Sequence, residues 1–424
     1  MEDGRIQTTP NLPQDILMAI FAAFEIPDLL RAGSVCSSWR SACETLRNHG
    51  LYNQSQTPCL LYTSESDGES TARLYSLAEK KAYRLTLPDP PIRTRSLIGS
   101  SPQGLLVTVD DRSEMHLLNP ITGQQIALPS VITIRQVSPV YDDSGVLHMY
   151  RYSSHTRHTV LALPANLALS ELRHQLHHKA FVFPLSDDDA SSSSAAAGGH
   201  IVVLIHNPSR QLSFARVGAE SWTWLPPHTS YDDCMYKNGL IHAVTSKGEI
   251  HGFDLASPAP VASMKIIMEG PLTYRYLISM YIIQAPWGHL LQVWRKFGGC
   301  DLGDTPQSSV FWITGKIRVY KVDTVANELE RTSCLRGHAL FLGHNQSLCL
   351  STEEYPALKA NHAYFTDDCR YWTMGLQNNR RDMGILNLDD NNSEELVSPH
   401  LWSNRPAPIW ITPNLREINF NLDN

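Results

Sequence analysis

The spacing of apolar residues changes character once along the 424-residue chain, close to Gly50. Before that point they recur three and four positions apart, the period of a helix with one buried face. Pro13 stands where a first helical turn tolerates proline, and Ile16, Leu17, Ile20, Phe21 and Phe24 follow on one face. Pro27 and Asp28 repeat the start signal ahead of Leu29, Leu30, Ala32 and Val35, with Gly33 costing roughly 1 kcal/mol relative to alanine. Ser37 is placed to cap a third helix carrying Trp39, Ala42, Cys43 and Leu46, which ends near Gly50 as the C-terminal glycine rule predicts. A unit of about 40 residues is at the lower limit for sustaining its own core, so apolar side chains left over after three short helices pack together amount to a docking surface.

Beyond Gly50 the chain reads as short runs of Val, Ile, Leu, Tyr and Trp separated by Gly, Pro, Asn and Asp, the texture of strands and turns. Many group as up-and-down strands with a rough period of 40 residues, the signature of a β-propeller. The clearest blade runs from Ser96 to Pro129, with Asn119-Pro120 and Thr122-Gly123 making the turn before its last strand. A second starts at Lys179 and ends around Trp224 and Pro226. A third follows from Asp232, its hairpins made by Asn238-Gly239 and Lys247-Gly248, which allow positive φ. Weaker sets cover Cys59 to Leu87, Tyr274 to Leu335 and Ala339 to Val397, giving six blades by count with seven as the alternative. Ser186 to Gly199 is a low-complexity stretch that cannot pack a core and reads as a disordered loop at 186–199 between two strands of one blade. Leu167 to Lys179 reads as a short helix inserted between blades, on a rim.

Leu12-Pro13, Asp15-Ile16-Leu17, Ile20, Asp28-Leu29-Leu30 and Val35-Cys36 followed by Trp39-Arg40 stand in the order and spacing of the F-box, which this segment resembles. The resemblance implies docking to the Skp-type adaptor of a cullin-RING (SCF) ubiquitin ligase. Carried over residue by residue, it names Leu12, Pro13, Ile16, Leu17, Ile20 and Leu29 as contact positions. Val35 and Trp39 also match the motif, and the resemblance implies that each is shared between helix packing and the adaptor. Phe24 stands where the family usually has leucine and keeps the position apolar. Further on, NPITG at Asn119 to Gly123, Ala339 to Ser351, His362 to Asp368, Met383 to Asn391 and the closing LWSNRPAPIWITP are similar to the C-terminal domain of a large plant F-box family, the DUF295 type of F-box-associated domain of unknown function. This second likeness implies a plant protein with a kelch-like propeller and supplies no substrate. The expected fold class is thus α+β multidomain: a small N-terminal three-helix F-box over residues 10–50, then an all-β propeller over 55–415.

Composition narrows the partners. With 35 basic against 42 acidic residues and a formal net charge of −7, no basic nucleic-acid footprint dominates. The polar start MEDGRIQTTP is not a secretory signal, and no apolar run approaches the roughly 18 residues of a membrane span. The expectation is a soluble protein of the cytoplasm and/or nucleus, with neither nucleic acid nor membrane as partner. Eight cysteines (Cys36, Cys43, Cys59, Cys234, Cys300, Cys334, Cys349, Cys369) form no CxxC pair and read as free thiols.

Candidates for chemistry are few. His174, His177 and His178 lie at helical spacings that could converge on a metal, but no second cluster joins them and a solvated helix face is the plainer reading. Asp187, Asp188 and Asp189 lack the fixed oxygen cage that calcium needs. Gly315-Lys316 is no phosphate loop, since Val310 and Ile317 occupy the places of its upstream glycine and its hydroxyl. No GxSxG-like nucleophile motif occurs. No cofactor, catalytic residue or metal ligand is assigned. Of Trp222, Trp224, Trp287, Trp294, Trp312, Trp372, Trp402 and Trp410, most should fill space between blades, leaving one or two for a binding face. Arg295, Lys296, Arg380 and Arg381 read as solvated charges on loops.

These readings combine into a non-enzymatic substrate receptor: the F-box fixes the chain to a ligase and the propeller presents an unknown protein substrate for ubiquitination. The alternative is a propeller that binds a small ligand or glycan, with the F-box as a tether or acting outside a ligase; an aromatic pocket at the propeller mouth would favour it. A propeller enzyme is the third reading.

Overall fold

The computed structural model describes residues 12–49, 51–52, 54–156, 159–185, 199–225, 230–255, 264–271, 277–301, 310–368, 381–396, 402–403 and 405–416. Three helices come first: α1 (Gln14–Phe21), α2 (Ile26–Gly33) and α3 (Ser37–Asn48). Pro13 is the residue before α1, and Pro27 sits in the first turn of α2, where the missing N–H is no loss. Ser37 opens α3 rather than capping it; the N-cap is Cys36, which makes no side-chain bond.

The strands form six sheets arranged in a ring. Blade 1 runs, inside to outside, Ile409–Ile411, Cys59–Tyr62, Thr71–Ser76 and Lys81–Thr86. Blade 2 spans Ser96–Ser100 to Gln125–Ala127, blade 3 His177–Pro184 to Thr223–Trp224, blade 4 Tyr231–Lys237 to Met264–Met268, and blade 5 Ile278–Gln284 to Glu328–Thr332. Blade 6 has five strands, ordered Leu348–Ser351, His338–Leu342, His362–Phe365, Gly384–Asn387 and Ser393–Glu394, the second and third being parallel. Hydrophobic clusters fill every junction between neighbours around the ring, the last joining Phe341 and Tyr364 of blade 6 to Leu60, Tyr62 and Trp410 of blade 1.

A seventh sheet lies outside the ring. Val137–Tyr141, Leu147–Tyr152 and Ala165–Ala168 form three strands between blades 2 and 3 in sequence. They do not separate those blades: the innermost strands of blades 2 and 3 approach so closely that a Cβ at Gly99 would come within 2.0 Å of the Ala180 carbonyl oxygen. The extra sheet covers that junction from outside through Val137, Tyr150 and Tyr152. The helix expected over Leu167 to Lys179 shrinks to Leu172–Gln175, with Leu172 and Leu176 buried in the same cluster. Residues 186–198 of the low-complexity stretch lie outside the described residues.

Around the propeller axis the packing is polar. Lys179 of blade 3 donates to Asp233 Oδ1 of blade 4 at 2.8 Å. Asp233 Oδ2 accepts from the Ile282 amide of blade 5 at 3.0 Å and from Ser347 Oγ of blade 6 at 2.8 Å. One buried carboxylate thereby bonds three other blades. Gln346 on the same segment donates its amide to the Ser100 carbonyl of blade 2 at 2.8 Å.

Two expectations follow. Lys179→Met leaves Asp233 buried without its cation and should cost about 3–5 kcal/mol in urea unfolding, whereas the double change with Asp233→Asn should cost less than the sum of the singles. Trp410→Ala empties the junction of blades 6 and 1, where the indole meets Phe341 edge-on at 5.2 Å, and should cost about 3–5 kcal/mol in the same measurement.

Candidate functional site

The helical module divides its apolar side chains between two directions. Leu17 and Phe21, each 1% exposed, point into a core shared with Ile26, Leu29, Ala32, Ala42 and Leu46. Leu12, Ile16 and Ile20, spaced four residues apart, form an outward row at 42%, 45% and 42% exposure, with Pro13 exposed beside them. Val35, just past α2, is 61% exposed. Trp39 is half-buried, its ring edge-on to Phe21 at 5.2 Å, which gives it a packing role and a partly open face.

Leu17 and Leu29 need correcting as contact positions. Both are buried against α3 or its neighbours and hold the three helices together, so neither presents a surface. In each of the pairs Ile16-Leu17 and Leu29-Leu30, adjacent residues on a helix point about 100° apart, so only one can face inward. Leu30, 44% exposed, is the outward member that sequence reasoning left out of the contact set. Fully covering one such aliphatic side chain is worth roughly 1.5–3 kcal/mol, so the exposed row leaves several such increments unrealised in this chain alone.

The module is seated on the propeller by a built joint. The Ile26 amide donates to Gln56 Oε1 at 2.6 Å, Gln56 Nε2 donates to Tyr52 Oη at 2.7 Å, and Tyr52 Oη donates to the Phe24 carbonyl at 2.5 Å. Thr57 Oγ1 donates to Glu25 Oε1 at 2.6 Å. Burial pushes the Tyr52 phenol well above its ordinary range, keeping it a neutral donor. Tyr52, Leu415 and Ile121 complete the helical core from the propeller side, and Arg31 reaches Glu79 of blade 1 at 3.3 Å. The outward row lies away from this joint and is not covered by the sheets.

The remaining candidates resolve differently. His177 and His178 open the strand His177–Pro184 at a register shift, His178 being its extra residue, and His174 sits on the short helix before it. Among the described residues no group of three or more His, Cys, Asp or Glu is arranged to hold a metal. Asp187, Asp188 and Asp189 lie outside the described residues, as do Arg380 and Trp372. Gly315 is the extra residue of a bulge in a strand, between Lys316 paired with Lys296 and Thr314 paired with Phe297.

Arg295 is also corrected. It is fully buried within the strand Leu290–Asp301, where it bonds Asp382 Oδ2 at 2.8 Å, Thr314 Oγ1 at 2.6 Å and the Thr366 carbonyl at 2.8 Å. It thereby clamps blade 6 to blade 5. Arg381 pairs with Asp367 at 2.9 Å, while Lys296 is exposed as expected.

Trp222, Trp402 and Trp410 are buried, and Trp222 donates to the Pro129 carbonyl at 2.9 Å. Trp224, Trp287 and Trp294 are half-buried, the first beneath Arg135 and the second beside His338. The side chain of Trp312 is outside the described residues. Cys36, Cys43, Cys59, Cys234, Cys334 and Cys349 are free thiols.

Comparison with known proteins agrees with this arrangement. Residues 9–49 match the F-box-like family model, and residues 74–387 match the model described as KIB1-4 beta-propeller. A putative F-box protein of Arabidopsis thaliana is 23% identical over 91% of this chain and 91% of its own length. A probable F-box protein of the same plant is 22% identical over 96% of this chain and 97% of its own. An Arabidopsis F-box/kelch-repeat protein is 31% identical over 30% of this chain and 34% of its own. Some 74% of the chain is spanned by the propeller model, counted as residues 74–387 of 424, so the chain belongs to the KIB1-4 beta-propeller family and carries an F-box-like domain ahead of it.

Proposed function

We propose that this chain is the substrate-recognition subunit of an SCF ubiquitin ligase, docking a Skp-type adaptor through Leu12, Pro13, Ile16, Ile20, Leu30 and Val35 and holding a target protein on its propeller. The observation that carries the reading is the outward aliphatic row on an F-box-like domain, left open although the same helices are firmly seated on the propeller. The adaptor covers that row, and through it the cullin and RING subunits bring the conjugating enzyme. Ubiquitin transfer is then chemistry of that enzyme. This chain contributes proximity, holding target and enzyme at high effective concentration, in the cytoplasm and/or nucleus.

Leu12→Asp with Ile16→Asp should abolish co-purification of the adaptor with the full chain, while circular dichroism of the β domain stays unchanged. The pair places two charges in a desolvated contact, for which at least about 2 kcal/mol per anchor is usual. Leu17→Ala acts differently: it should destabilise the helical module by about 2–5 kcal/mol and weaken adaptor binding only through that loss. Retention of the adaptor by the folded double-aspartate chain would refute the receptor reading.

A further inference from the structure

Blade 5 has the two longest strands of the ring, Leu290–Asp301 of 12 residues and Val310–Asp323 of 14. Their register places Trp294 opposite Arg318 and Lys296 opposite Lys316, and the outermost strand places Arg331 opposite Tyr320. Residues directly opposite in an antiparallel pair share a face, as do residues two apart along a strand. Trp294, Lys296, Lys316, Arg318, Tyr320 and Arg331 therefore lie on one face of the sheet, on which Trp294 packs into the junction with blade 4 while Lys296, Arg318 and Arg331 stay exposed. Trp294 and Tyr320 lie against each other on it, ring centroids 4.5 Å apart, with the exposed Ile313 beyond the bulge.

The charge on this surface is unmatched. Lys296, Arg318 and Arg331 are exposed and Lys316 is half-buried, and none of the four has a carboxylate partner among the described residues. Like charges directly opposite in a sheet are destabilising. In a chain of net charge −7, with acidic side chains in excess, four cations gathered on one face without an ion-pair partner among the described residues call for an anion from elsewhere.

We propose that this face of blade 5 binds a phosphorylated segment of a target protein, an inference that rests on the receptor reading above. Opposed Lys296 and Lys316 start about 4.5–5.5 Å apart at Cβ, so their two ammonium groups converge on a single oxyanion. A phosphomonoester carries about −1.5 to −2 charge at neutral pH and matches two cations, whereas a carboxylate matches one. Arg318 and Arg331 offer planar forks to the remaining phosphate oxygens or to acidic neighbours. The exposed Ile313 gives flanking side chains an apolar contact beyond the bulge.

The test compares retention of the full chain on an immobilised degenerate peptide pool centred on phosphoserine with retention on the same pool centred on serine and on glutamate. Retention by the phosphoserine pool should exceed that by the serine pool at least about tenfold, a difference that Lys296→Glu with Lys316→Glu removes. Lys316→Glu alone turns the opposed pair attractive, so its thermal midpoint should hold or rise while retention falls, a combination that unfolding cannot produce. Equal retention by the serine pool, or retention unchanged in the double variant, overturns the proposal. So does displacement by a single-stranded oligonucleotide at lower concentration than by the phosphopeptide, which would assign the face to nucleic acid. Adaptor co-purification should be indifferent to these substitutions, and Leu12→Asp with Ile16→Asp should leave phosphopeptide retention intact, so failure of one reading is distinguishable from failure of the other.

Discussion

Residues 409–416 hold the molecule together at two places at once. Ile409–Ile411 pairs antiparallel with Cys59–Tyr62 as the inner edge of blade 1, so the last described strand closes a ring that the first opens. The chain then turns past Gly104, where a Cβ would come within 2.5 Å of the Thr412 carbonyl oxygen. Asn119 Nδ2 holds the carbonyls of Asn414 and Arg416 at 3.0 Å, and Leu415 enters the core of the helices. Without this segment blade 1 would show an open edge and the helical module would lose part of its floor. Ring closure and F-box seating are therefore one event, and the small module borrows stability from the large one, as its size requires.

That dependence also explains what could be read from the sequence. Blades 2, 3 and 4 were legible because their turns carry local chemistry: Asn238 and Gly239 both adopt positive φ, as the dipeptide requires. The closing strand was not, because Ile409, Trp410 and Ile411 have no turn joining them to a partner some 350 positions earlier in the chain. The parallel pair in blade 6 and the extra sheet outside the ring escaped for the same reason: nothing local announces them. Arg295 looked like a surface charge because its partner Asp382 lies 87 residues away. On the helical module the apolar doublets are visible in the sequence, but which member faces outward is decided by where α3 packs.

The buried charges deserve a separate physical reading from the apolar clusters. An ion pair such as Lys179–Asp233 contributes little net stability against an apolar pair of equal volume. Its bonds, however, cross blade boundaries: Asp233 reaches blades 3, 5 and 6, and Arg295 reaches blade 6. Similar β-sheets can pack on one another in many relative positions, and a wrong position would strand one of these groups unpaired at a cost of several kcal/mol. Greasy contact supplies the attraction between blades, and the polar axis selects the register in which they meet.

Stiffness is what the proposed receptor needs. Strands alternate in direction within blades 1, 2 and 5, so the turn at 77–80 of blade 1 and that at 119–124 of blade 2, which meet the helices through Glu79 and Ile121, lie at one end of the propeller. The hairpin that prolongs blade 5 beyond its neighbours grows toward the other end. A flexible tether between these places would spread a bound target over a large volume and dilute its encounters with the conjugating enzyme. The joint at Tyr52, Gln56 and Thr57 replaces that tether with hydrogen bonds and a shared core. In the proposed receptor, then, target position relative to the adaptor is set by the fold itself, and selectivity among target lysines follows from geometry rather than from any residue that touches ubiquitin.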